Sequence, residues 1–150
     1  NRTRSRGHLE IRSPDPADAP AIHPNMMGDP YDLETLVEGV RYGRRIFRTK
    51  AFAPYFLGEY KPGPDMGDGD DLAAHVRRSA SGVFHPCGTC KMGIDPNAVV
   101  DPELKVHGVE GLRVVDSSII PQIPSGNINA ISMVIGEKGA EAILKARGAA

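Results

Sequence analysis

The stretch His85-Pro86-Cys87-Gly88-Thr89-Cys90-Lys91-Met92-Gly93 holds a histidine, both cysteines of the chain, and proline and glycine as backbone punctuation. An imidazole titrates near neutral pH and can serve as a general base. Pro86 keeps His85 out of the α-helical region, and Gly88-Thr89 permits a tight turn after it. Cys87-x-x-Cys90 has the spacing of a redox dithiol or of half a zinc site, and His85 and His107 could complete a four-ligand set. A thioredoxin-like dithiol stands where a helix starts after a strand, whereas here Pro86 and Gly88 interrupt and no helical pattern follows. Two buried free thiols are the plainer reading.

Downstream, Asp116 ends the apolar run Leu112-Arg113-Val114-Val115. A carboxylate at a strand end can bind ribose hydroxyls, accept backbone donors or cap the next turn. Asn127 and Asn129 lie where a loop enters a helix, whose first N–H groups can face an electron-rich group; Asn129 equally suits an ordinary cap.

The elements that must position these residues follow from periodicity. His8 to Arg12 alternates as a half-buried strand does, and Ser13 to Pro30, with five prolines, is expected as an extended loop. Asp29 or Asp32 can cap a helix that runs to about Thr49, with Leu33, Leu36, Val37, Val40 and Phe47 on its apolar stripe. Ala53 to Gly69 reads as a long irregular connection in which Tyr55, Phe56 and Tyr60 pack. A short helix follows from Asp70 to about Ser79. Ala98–Val100 and Leu104–Val106 are expected as short strands, and Leu112–Asp116 as a buried parallel strand with its polar end towards a ligand. Ala130 to Ala146 is expected as a helix with Met133, Ile135, Ala140, Ile143 and Leu144 inward. Strand and helix do not alternate regularly, so the chain reads as pieces of a larger fold.

Bulk properties exclude several function classes. The 150 residues have a formal net charge of −1, which leaves no electrostatic footprint for nucleic acid or an anionic membrane. The arginines at 2, 4, 6 and 12 read as a solvated face. No apolar run approaches the roughly 18 residues of a membrane span. The first residues lack the apolar core of a secretory signal, so a cytoplasmic location is the expectation. The chain also lacks an initiator Met, which suggests a fragment or a processed piece.

Together these segments resemble the C-terminal part of the glucose-methanol-choline (GMC) oxidoreductases. The resemblance takes in Ser5-Arg6-Gly7, Pro62-Gly63, His85-Pro86-x-Gly88-Thr89-Cys90-x-Met92-Gly93 and Val100-Asp101. It continues through Leu104-x-Val106-His107-Gly108-Val109-x-Gly111-Leu112-Arg113-Val114-Val115-Asp116, Pro121, Asn127-x-Asn129-Ala130 and Glu137-Lys138-x-Ala140. The last segments look most like the choline dehydrogenase and alcohol dehydrogenase branch. The resemblance implies FAD-dependent oxidation of an alcohol to a carbonyl, with His85 taking the hydroxyl proton while hydride passes to flavin N5. It puts Asn127 at the position that pairs with the base. As a neutral amide, Asn127 can orient the substrate oxygen but cannot relay a proton. It puts Asp116, Ser117, Asn129 and Ala130 at positions that contact the flavin or its ribityl chain.

The family's G-x-G-x-x-G pyrophosphate loop is not formed by any of the 17 glycines. The implied architecture is therefore an α+β or α/β fragment. Residues 1–84 would end a substrate-binding region. Residues 85–150 would supply the catalytic histidine loop, and the last strand and helix, of a Rossmann-like FAD-binding domain. The implied partners are a small alcohol and an N-terminal FAD-binding part of the same protein. The alternative from another class is a non-catalytic zinc- or partner-binding module built on His85, Cys87, Cys90 and His107.

Overall fold

Two units, each with its own apolar cluster, make up the computed structural model, which describes residues 2–148. One unit is Arg4–Ser81 and the other takes up the remainder of the chain.

In the unit Arg4–Ser81, β1 (His8–Glu10) pairs antiparallel with β2 (Ala21–His23), with His8 opposite His23. The strand expected to Arg12 is shorter, and its partner is a three-residue strand between Pro20 and Pro24 that is too brief to show alternation in sequence. Helix α1 (Pro30–Phe47) starts where Asp29 accepts the N–H of Tyr31 at 2.9 Å and Pro30 supplies a preset φ. Asp29 is thus the cap, and Asp32 is buried and does something else. Helix α2 (Asp70–Ser79) follows the expected bounds and lies on α1, with Met27, Val37, Leu72 and Val76 as the core between them. Leu36 and Phe47, expected inward, are exposed. Phe47 instead takes Phe52 edge-on and Phe56 in a stack, which gives Phe56 the packing role expected of it; Tyr55 and Tyr60 point outward.

The irregular connection 53–69 is held by Arg44 of α1. Its Nε donates to both carboxylate oxygens of Glu59 at 3.0 and 3.1 Å, Nη1 reaches Asp68, and Nη2 donates to the Met66 carbonyl at 3.0 Å. The hydrogen bond to Glu59 outweighs burial and raises the guanidinium pKa further, so Arg44 is a fixed positive post on which the loop is tied.

The other unit has its core at Val100, Leu104, Ile119, Ile120, Ile128 and Ile135. The expected strands Ala98–Val100, Leu104–Val106 and Leu112–Asp116 do not form a ladder. They are joined only by isolated bridges: Met92 to Val100 in parallel, and Val100 to Val106 and Lys105 to Arg113 antiparallel. A buried parallel strand needs hydrogen-bonded neighbours running alongside. Among the described residues Leu112–Asp116 has only the single antiparallel bridge from Arg113 to Lys105, so it is an extended segment, and the assembly is α+β rather than a parallel sheet.

Helix α3 (Ile128–Ala146) begins two residues earlier than expected and buries Ile128, Ile135 and Gly139, while Met133, Ala140 and Leu144 face out. Because α3 is apolar on several sides, periodicity does not choose the inward face. The deciding residue is Gly139. A Cβ there would lie 2.2 Å from Cγ1 of Val115, on the segment leading to Asp116. Gly139→Ala should therefore lower stability by about 1–3 kcal/mol despite the better helix propensity of alanine. Adding Val115→Ala should return part of that loss, measured as a non-additive shift in the unfolding midpoint. Equal additive losses would show that the contact does not limit the approach of α3.

Candidate functional site

His85 is half-buried on a loop whose backbone is fixed from the next segment. The Cys90 N–H donates to the Ser118 carbonyl at 3.0 Å, and the Met92 N–H to the Ile119 carbonyl at 2.8 Å. Just ahead of these anchors Gly88 turns with φ +90° and would, with a Cβ, press within 3.2 Å of the Ile120 carbonyl. The sequence therefore folds the histidine loop directly onto 118–120. These carbonyl anchors leave no mark in the sequence, since any residue offers the same group.

Segment 116–120 is itself shaped by Asp116. Its carboxylate accepts the Ser118 N–H at 2.7 Å and so caps the 3-10 turn Ser117–Ile119. Of the three roles open to Asp116 in the sequence, capping is the one that the geometry displays. The side chain is exposed, and Ser117 is half-buried beside it.

Asn127 occupies the N-cap position of α3 but makes no side-chain cap. Its Oδ1 lies 3.0 Å from His85 Nε2, across 42 residues of sequence. A carboxamide that would ordinarily satisfy the N2 or N3 amide has been turned to the histidine instead. His85 Nδ1 is buried and has no hydrogen-bonding partner in either tautomer. Nε2, next to the exposed Asn127, is the nitrogen that a ligand can reach. Asn129 and Ala130 lie exposed in the first turn of α3, where no side chain caps the N–H groups; Asn129 is inside the helix and not its cap.

Cys87 and Cys90 are not joined in a disulfide, and both are half-buried. His107 Nε2 meets the Gly93 carbonyl at 3.1 Å. His85, Cys87, Cys90 and His107 do not bring three ligand atoms within 4.8 Å of one another, so the four-residue zinc set of the alternative reading is not assembled. Among the described residues no helix is long and apolar enough to cross a membrane.

A family model described as GMC oxidoreductase matches residues 3–136. The chain is 49% identical over 146 residues to an oxygen-dependent choline dehydrogenase of Rhizobium rhizogenes, covering 96% of this chain and 27% of that protein. It is 43% identical over 142 residues to an alcohol dehydrogenase [acceptor] of Pseudomonas putida, covering 95% and 26%. Among solved structures, an FAD-dependent oxidoreductase from Chaetomium thermophilum superposes with a TM-score of 0.88 at 33% identity, covering 99% of this chain and 26% of that one. Pyridoxine 4-oxidase from Mesorbium loti gives a TM-score of 0.85 at 33% identity, covering 93% and 27%. The chain thus spans about a quarter of the length of the relatives it matches. The chain therefore belongs to the GMC oxidoreductase family, as its C-terminal region.

Proposed function

We propose that this chain is the base-bearing C-terminal region of an FAD-dependent enzyme that oxidises an alcohol to a carbonyl, with His85 as the base and Asn127 as its partner. The observation that carries the reading is the 3.0 Å pairing of His85 Nε2 with an asparagine diverted from its capping duty. An alcohol oxygen entering between the two groups replaces their direct contact. With the imidazole proton on Nδ1 and the Asn127 amide turned over from the contact seen, the alcohol O–H donates to Nε2 and the Asn127 Nδ2–H donates to the oxygen. The hydroxyl proton moves to Nε2, and Asn127, which holds no transferable proton near neutral pH, keeps the oxygen in place. Sealing Nδ1 from solvent leaves Nε2 as the one nitrogen for proton exchange.

The residues present fit a flavin. The uncapped first turn of α3, at Asn129 and Ala130, offers N–H groups to an electron-rich ring edge, and Ser117 and Asp116 lie on the segment to which the histidine loop is bonded. When bound, FAD supplies the two-electron acceptor for the hydride leaving the alcohol carbon. The rest of the cofactor site falls to an N-terminal part of the same protein. The exposed Met133, Val134 and Leu144 of α3 and Leu112 give apolar surface for such a part to cover. In this reading, residues 1–84 belong to the substrate-binding region and 85–150 to the FAD-binding region.

The test uses the full-length protein containing this sequence. Its flavin absorption should bleach without oxygen on addition of an alcohol from a panel that starts with choline and simple primary alcohols. A colourless protein, or flavin bands that no alcohol bleaches, would overturn the proposal.

A further inference from the structure

His8 and Glu10 are alternate residues of β1 and so share one face, and the antiparallel register sets His23 of β2 directly across from His8 on that face. The three side chains converge. His8 Nε2 is 3.1 Å from one Glu10 carboxylate oxygen, His23 Nε2 is 4.0 Å from the other, and the imidazoles stack with centroids 4.5 Å apart. A ligand atom from each lies within 4.8 Å of the other two, the one such trio among the described residues. All three side chains are open, at 60%, 62% and 51% of full exposure.

We propose that His8, Glu10 and His23 bind a divalent ion of the zinc type, clamping β1 to β2. Two imidazoles and a carboxylate are an established donor set for zinc, and the remaining positions would hold water. Ligand atoms about 2.0–2.2 Å from a common tetrahedral ion are roughly 3.3 Å apart. The His8–Glu10 separation already meets this, and the others, all within 4.8 Å, need to close by at most about 1.5 Å through χ rotations of exposed side chains. A hydrogen-bonded His–Glu pair alone accounts for His8 and Glu10, but not for the second imidazole stacked on the first. The structural need is visible as well. The strands are three residues each and close the proline-rich connection 11–20, and a hairpin of that size is marginal without reinforcement. The trio shares no residue with the His85–Asn127 site, so the proposal stands or falls separately from the enzymatic reading.

The test is a zinc titration of the full-length protein, freed of metal by a chelator and of any histidine tag, against a chromogenic competitor. Wild type should bind one more equivalent of Zn2+ than the His8→Gln/His23→Gln double variant, and zinc should slow hydrogen exchange across residues 8–23 in wild type only. Glu10→Gln, which leaves both imidazoles in place, should weaken the same equivalent, and it serves as the probe if the double variant does not fold. Equal zinc stoichiometry in wild type and variants, or zinc binding without protection of the hairpin, would overturn the proposal.

Discussion

His85→Ala in the full-length protein should slow reduction of the flavin by alcohol by about 10²-fold or more, as expected for the loss of a positioned general base. Stopped-flow absorbance without oxygen isolates this step from reoxidation. Flavin content should be unchanged, because the side chain contributes proton transfer and the cofactor contacts assigned to this chain lie at 116–117 and 129–130. Asn127→Ala should have the smaller effect, about tenfold. It removes one neutral hydrogen bond to the substrate oxygen, of the order of 1 kcal/mol, and leaves the base in place. The two losses should not add, since Asn127 acts on an oxygen that only His85 deprotonates. Flavin reduction at a near-normal rate in His85→Ala would remove the histidine from the base role, even if Asn127→Ala were slow.

The parts of this structure that could be read in the sequence are those whose causes are local. Helices α1 and α2 announce themselves by Asp29-Pro30 and by Asp70-Asp71 ahead of an apolar stripe, and both form within a few residues of expectation. The segment Leu112–Asp116 has the composition of a buried parallel strand, but a strand is made by its neighbours, and the described residues supply only the antiparallel bridge from Lys105 to Arg113. The inward face of α3 was likewise illegible: Met133, Val134, Ile135 and Leu144 are all apolar, and a glycine, by letting Val115 in, decides which side turns inward. Cys87 and Cys90 invite a metal reading on spacing alone, and only the fold shows that among the described residues no third ligand atom joins theirs within 4.8 Å. The pairing of His85 with Asn127 has no local signal across 42 residues and was expected only through the family resemblance. The resemblance also includes Ser5, which turns out to have a structural duty.

That duty supports the second large effect, expected at Asp32. Asp32→Ala should destabilise the Arg4–Ser81 unit by about 3 kcal/mol at neutral pH, the range for stripping a buried charged acceptor from several donors. Asp32 is 6% exposed and accepts the backbone N–H of Arg4 at 2.9 Å, that of Ser5 at 2.7 Å, and the Ser5 hydroxyl. The Ser5 hydroxyl oxygen in turn accepts the Asp29 N–H at 3.1 Å, so the residues leading into β1 are fastened to the capped start of α1. Burial on its own would raise the Asp32 pKa. The Ser5 hydroxyl and the two backbone donors outweigh it and hold the carboxyl below its ordinary 3.8. With the folded value depressed, the unfolded chain binds the proton more readily. The contribution of Asp32 is therefore complete well above pH 3.8 and is lost as pH falls through the folded value. Unfolding midpoints measured from neutrality downward should show wild type and Asp32→Ala far apart at pH 7 and converging below about pH 4. Hydrogen exchange at Arg4 and Ser5 should rise in the variant across the neutral range. Midpoints that stay equally separated in acid would show that Asp32 acts through packing volume and not through its charge.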